Sequence, residues 1–141
     1  MTYRYTPPFG LRLLQLVILF EALFRGLTYV VRPDTVMATT DVTKSAPMEV
    51  WGAIFILFAV VGFFGEALMS GVPIDQDNAN GRAWPSFIAH AGLMIMYLTL
   101  SLAYADAVIS GEFGLASAPV AMLVLAFIHW LFARRRKAHA T

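Results

Sequence analysis

The sequence predicts an all-α fold, an antiparallel four-helix transmembrane bundle with both termini in the cytoplasm. Three observations carry that expectation. The first is composition: 59% of the 141 residues are hydrophobic and 13% charged, against about 45–50% and about 25% in a soluble domain. The second is segmentation, because four long apolar runs alternate with short polar stretches. The third is the placement of lysine and arginine, which favour the cytoplasmic side of short loops. Arg4, Arg12, Arg82, Arg134, Arg135, Arg136 and Lys137 fall on one side of the expected bundle, and Arg32 and Lys44 on the other.

The first run, "FGLRLLQLVILFEALFRGLTYVV", covers about residues 9–31. The second covers about 47–70, the third about 84–109 and the fourth about 115–133, followed by a basic cytoplasmic tail at 134–141. A spanning helix needs roughly 20 residues. The first three runs meet that, and the fourth does so with its flanking "GLAS". The separators are "RPDTVMATTDVTKSA", "GVPIDQDNANGR" and "SGEFGLASAP", rich in Pro, Gly, Asp, Asn and Thr. Pro47, Pro85 and Pro119 fall near helix starts, where a missing N–H costs nothing. Trp51, Trp84, Trp130, Tyr3, Tyr5, Tyr29 and Tyr104 lie near run ends, as interfacial aromatics do. The first run is too long, and too interrupted by charge, for a cleavable signal peptide.

That interruption is the most informative local feature. Glu21, Arg25, Thr28 and Arg32 are spaced 4, 3 and 4 residues apart, so at ~100° per residue they share one helix face. Glu21 and Arg25 stand at i and i+4 with the acid N-terminal, the favourable order for a pair. A single charge at the bilayer centre costs about 2.5–3.5 kcal/mol on insertion scales, so the stripe is expected to face the bundle interior or water. It then either holds helices together, lines a pore or cavity after oligomerisation, or relays protons or ions. Asp106 and Glu49 are further partners for Arg25 by expected depth. A second group, Arg12, Glu66, His90 and His129, is expected at a common depth in the inner third of the membrane.

The chemistry available is narrow. With no cysteine, disulfides, thiolate metal sites and dithiol redox chemistry are excluded. Of the three histidines, His90 and His129 are the candidates for haem or metal ligation, but they sit on separate runs without an HxxxH or ExxH spacing, so no cofactor is expected. GxSxG, HExxH, P-loop and GxGxxG motifs are absent, and the chain does not read as an enzyme. Net charge is only +1, with the "RRRK" cluster serving as a topology anchor, so nucleic acid is not an expected partner. Gly52, Gly62 and Gly65 in the second run, and Ala89, Gly92, Ser101 and Ala105 in the third, are small residues of the kind that let helices approach in lipid.

Short length, four runs, the charged "LFEALFRG", tight polar loops and the basic "FARRRKAHAT" together resemble the small four-helix holin-like membrane proteins of actinobacterial phages. That resemblance implies accumulation in the bacterial inner membrane, homo-oligomerisation and permeabilisation, with Glu21 and Arg25 on a lumen-facing stripe. "MEVWGAIFILFAVVGFFGE" is similar to the second helix of DoxX-like four-helix membrane proteins, whose implied roles are redox-linked. The functional expectation is an oligomerising permeabiliser. The alternatives are an accessory subunit docked on a larger membrane protein and a small DoxX-like or haem-binding redox protein.

Overall fold

The computed structural model describes residues 8–33, 45–69 and 79–140. Arg4, Lys44, Tyr3 and Tyr5, and most of the first two connecting segments, lie outside the described residues. The fold is all-helical, with no strand among the described residues. Its long helices are α1 (Pro8–Val31), α2 (Met48–Met69), α3 (Ala79–Ile109) and α4 (Ala118–Ala140), with a 3₁₀ turn at Phe113–Leu115. All four are long and apolar enough to cross a membrane.

Three of the four long helices begin at or beside a proline, where the backbone can spare a donor. Pro8 opens α1, and Pro47 immediately precedes α2, accepting at its carbonyl from the Val50 N–H at 3.0 Å. Glu49 lies in the first turn of α2, where a carboxylate complements the helix dipole. α3 starts at Ala79, five residues ahead of the expected start at Trp84, and carries Pro85 inside it. So early in a helix the proline removes one bond, the one that would reach the carbonyl of exposed Gly81. α3 stops at a glycine turn. Gly111 has φ +111°, a left-handed conformation that disfavours any side chain. The Glu112 N–H reaches the Ala107 carbonyl at 3.0 Å and the Gly111 N–H that of Val108 at 3.1 Å, a Schellman closure. α4 does not end at Ala133: the basic stretch expected to be a tail continues the helix to Ala140.

Neighbouring helices meet in a consistent order. Early α1 meets late α2 (Gln15 with Glu66), and late α1 meets early α2 (Gly26 with Gly52). Late α2 meets early α3 (Gly65 with Ser86), and late α3 meets early α4, where the Ser101 hydroxyl donates to the Pro119 carbonyl at 2.8 Å. α3 packs most extensively on α4, α2 bridges α1 and α3, and α1 touches α4 only lightly.

The exterior is as apolar as the core, unlike a soluble protein's. Large apolar side chains such as Phe20, Phe24, Phe64, Ile95, Leu102 and Phe127 are exposed. Gln15, Glu66, Ser86, His90, Ser101 and His129 are buried. An apolar exterior of this extent is satisfied by hydrocarbon and not by water. Within the core, Phe55 of α2 lies edge-on to Tyr29 of α1 and to Tyr97 of α3, with ring centroids 6.0 and 5.2 Å apart.

Candidate functional site

Glu66 is the centre of the larger polar cluster. It lies near the end of α2, almost fully buried, and its Oε1 accepts from Gln15 Nε2 at 2.6 Å, Ser86 Oγ at 2.7 Å and Arg136 Nη2 at 2.8 Å. Arg136 Nη2 also lies 2.7 Å from Oε2. One carboxylate thus draws a donor from each of the other three helices. The location follows from the helix order above, because Gly65 brings α2 against the α3 backbone at Ser86. A Cβ at Gly65 would lie 2.5 Å from the Ser86 nitrogen. A buried carboxylate is tolerable only with this degree of pairing and hydrogen bonding.

The histidines continue the cluster. Gln15 Nε2 lies 2.8 Å from His90 Nε2, and His90 Nδ1 lies 2.8 Å from His129 Nδ1. Hydrogen-bond bookkeeping assigns the tautomers. Gln15 must present its amino group to the Glu66 carboxylate, so that group also donates to His90, whose Nε2 is an acceptor. Neutral His90 then carries its proton on Nδ1 and donates to His129. His129 accepts at Nδ1 and carries its own proton on Nε2. That nitrogen is buried and has no hydrogen-bond partner among the described residues. The ring of His129 is stacked on Tyr97 at 5.3 Å and tilted against His90 at 5.1 Å, and Phe132 stacks on His90 at 5.3 Å.

Tyr97 leads to the second cluster. Its hydroxyl donates to Glu21 Oε2, and its ring lies under the Arg25 guanidinium, 5.6 Å from the centroid. Arg25 grips the other Glu21 oxygen through Nε at 3.0 Å and Nη2 at 2.5 Å, and Nη1 lies 3.4 Å from the Tyr29 hydroxyl. Unlike Glu66, this pair is only partly covered. The side chains of Arg25 and Glu21 keep 21% and 33% of their exposure, beside an open pocket of about 190 Å³ lined by Glu21, Phe24, Arg25, Thr28 and Tyr29.

The remaining residues singled out in the sequence are dispersed. Thr28 borders the pocket, but its hydroxyl donates to its own helix at the Phe24 carbonyl, 2.9 Å away. Arg32 is exposed just past the end of α1. Asp106 and Glu49 are exposed, and neither takes part in the bonds of Arg25, which go to Glu21 and Tyr29. Glu66, His90 and His129 come together, whereas Arg12 of the same expected group is exposed on α1. Among the described residues no three His, Cys, Asp or Glu gather as a metal site would require.

Three members of the buried cluster, Gln15, Ser86 and Arg136, were not anticipated. Gln15 and Ser86 are uncharged and unremarkable in an apolar run. Arg136 was concealed in "RRRK", where four adjacent cations read as a single solvated anchor. One signal was available: Glu66 sits inside an apolar run with no basic residue on its own helix, and so required a cation from elsewhere. No family model, curated protein or solved structure matches the chain.

Proposed function

We propose that this chain is an antiparallel four-helix protein of the bacterial cytoplasmic membrane, with both termini inside, that oligomerises through α1 and permeabilises the membrane in the manner of a holin. The helix order supports the antiparallel arrangement, since early residues of each helix meet late residues of its neighbour. The concentration of arginine and lysine at the α4 end supports the orientation.

The observation that carries the functional reading is the partly open Glu21–Arg25 pair midway along α1. The bundle buries its other intramembrane ion pair, Glu66–Arg136, with side-chain exposures of 6% and 13%. It leaves this one reachable from outside. In hydrocarbon such a face needs water or a neighbour, and an assembly that brings α1 faces together supplies both.

The test is dye-reported membrane potential during induced expression in a bacterium, with culture density followed alongside. A timed loss of potential with growth arrest is expected, and it should be absent in the Glu21→Leu/Arg25→Leu double variant at equal membrane insertion. Intact potential at confirmed expression would overturn permeabilisation. The open face would then belong to an accessory subunit, seen as co-purification of a larger membrane protein at fixed stoichiometry.

A further inference from the structure

α1 touches α4 only lightly, and the seam between them is not closed by side chains. An apolar groove of about 370 Å³ lies there, lined by Leu11 and Leu14 of α1 and by Ile128, Leu131, Phe132 and Arg135 of α4. The spacing accounts for the lining. Leu11 and Leu14 stand at i and i+3, and the four α4 residues at i, i+3, i+4 and i+7, so each helix contributes one stripe. Five of the six side chains are apolar and the sixth is a guanidinium. At 1.5 Å per residue, Arg135 stands about 6 Å along the helix from Leu131 and about 10 Å from Ile128. The charge is therefore at one end, and the apolar wall runs inward from it.

Arg135 is exposed and its charge is uncommitted. Successive helix residues point ~100° apart, which sends the members of the basic run into different surroundings. Arg136 is held by Glu66, and Arg134 lies over the Trp130 ring at 5.5 Å. No hydrogen bond or ion pair engages Arg135 among the described residues. No carboxylate is left to do so. At this end of the bundle the described residues include Arg12, Arg82, Arg134, Arg135, Arg136 and Lys137, but only one acid, Glu66, which is buried and already paired.

We propose that this groove binds one anionic phospholipid, with its phosphodiester on the Arg135 guanidinium and an acyl chain along Leu11, Leu14, Ile128, Leu131 and Phe132. Charge complementarity selects this occupant. A guanidinium presents parallel N–H donors that match two phosphate oxygens. Basic pockets between spanning helices at the membrane surface hold anionic headgroups in this way. A phosphatidylethanolamine headgroup carries its own ammonium, which competes with Arg135 for the phosphate, whereas phosphatidylglycerol carries none. A free phosphate would satisfy Arg135 but leave the apolar wall uncovered. A second copy inserted in the same orientation would bring its own basic end against this one. The site goes beyond permeabilisation and does not depend on it, because the Glu21–Arg25 pocket lies further along α1 and shares no lining residue with the groove.

The experiment is native mass spectrometry of the full chain in detergent micelles, titrated with phosphatidylglycerol or with phosphatidylethanolamine of the same acyl chains. One saturating phosphatidylglycerol per chain is expected, with phosphatidylethanolamine bound about five-fold more weakly. Arg135→Gln should weaken phosphatidylglycerol binding about five-fold and remove the preference between the two lipids. Arg82→Gln deletes the same charge at the same end of the bundle but outside the groove, and should leave binding unchanged. Equal loss in both variants, or equal binding of the two lipids by the wild type, overturns the site in favour of general charge attraction. Leu131→Trp tests the apolar wall. Leu131 is exposed in the groove, so the added ring fills the groove and not the core, and phosphatidylglycerol should be lost with the unfolding midpoint kept. Undiminished binding in that variant places the lipid elsewhere and overturns the proposal. Excess inorganic phosphate should not displace the lipid, and displacement would reassign Arg135 to a free anion. A dimer that excludes lipid and dissociates in Leu131→Trp would give the groove to a second copy and overturn the lipid site. None of these readouts involves membrane potential, so failure of the lipid site and failure of permeabilisation are told apart.

Discussion

At the residue scale, the four consecutive basic residues at the end of α4 are not equivalent. Arg136 turns inward to Glu66, whereas Arg134 and Arg135 are exposed, the former over the Trp130 ring at 5.5 Å. Removing Arg136 leaves a buried carboxylate with hydrogen bonds but no counter-charge, and breaking a buried pair in this way costs about 3–5 kcal/mol. Arg136→Ala should therefore lower the unfolding midpoint in detergent sharply, while Arg135→Ala should change stability by no more than about 0.5 kcal/mol. Equal midpoints for the two variants would show that the Glu66–Arg136 contact contributes nothing.

At the element scale, the helices are held by backbone approach as well as by polar contacts. Gly26 of α1 and Gly52 of α2 face each other so closely that a Cβ at Gly52 would lie 2.6 Å from the Gly26 carbonyl oxygen. That oxygen belongs to a helix and cannot step aside as a flexible side chain would. Gly52→Val should force α1 and α2 apart at a cost of about 1–3 kcal/mol, the usual range for overpacking. Gly10→Ala is the control, because nothing lies within 4 Å of that position. Its unfolding midpoint should match or slightly exceed the wild type's, in keeping with alanine's better helix propensity. If Gly52→Val unfolds at the wild-type midpoint, the close crossing is wrong. The small residues Gly52, Gly62, Gly65, Ala89 and Gly92 were readable as contact points, yet Gly26, which faces Gly52, was not singled out. A glycine beside a charged pair draws attention to the pair.

At the scale of the whole molecule, the distribution of lysine and arginine makes a prediction that the side-chain contacts do not. A reporter fused after residue 141 should read as cytoplasmic in a bacterium, by alkaline phosphatase inactivity and green-fluorescent-protein emission. Phosphatase activity there would reverse the proposed orientation. The number of helices and their approximate extents were legible because length and hydropathy are local properties. Two extents were not. α3 reaches back to Ala79 past a proline, and α4 continues through the basic residues, one of which makes a tertiary contact that its local sequence does not announce. For α4 that contact is Arg136 on Glu66.

The sequence by itself determined that the chain has four helices long and apolar enough to span a membrane and that Glu21 and Arg25 pair on one face of the first. Both follow from local chemistry, namely apolar length and the i, i+4 geometry of a single helix. Only the tertiary structure decided that Gln15, Glu66, Ser86, His90, His129 and Arg136 converge, and that Arg12, Glu49 and Asp106 stay outside. In water, an amphipathic stripe announces which side of a helix is buried. In lipid the exterior is as apolar as the core, so that signal is weak. The rotation and depth of each helix are then set by which polar groups find partners, and that is a property of all four helices together.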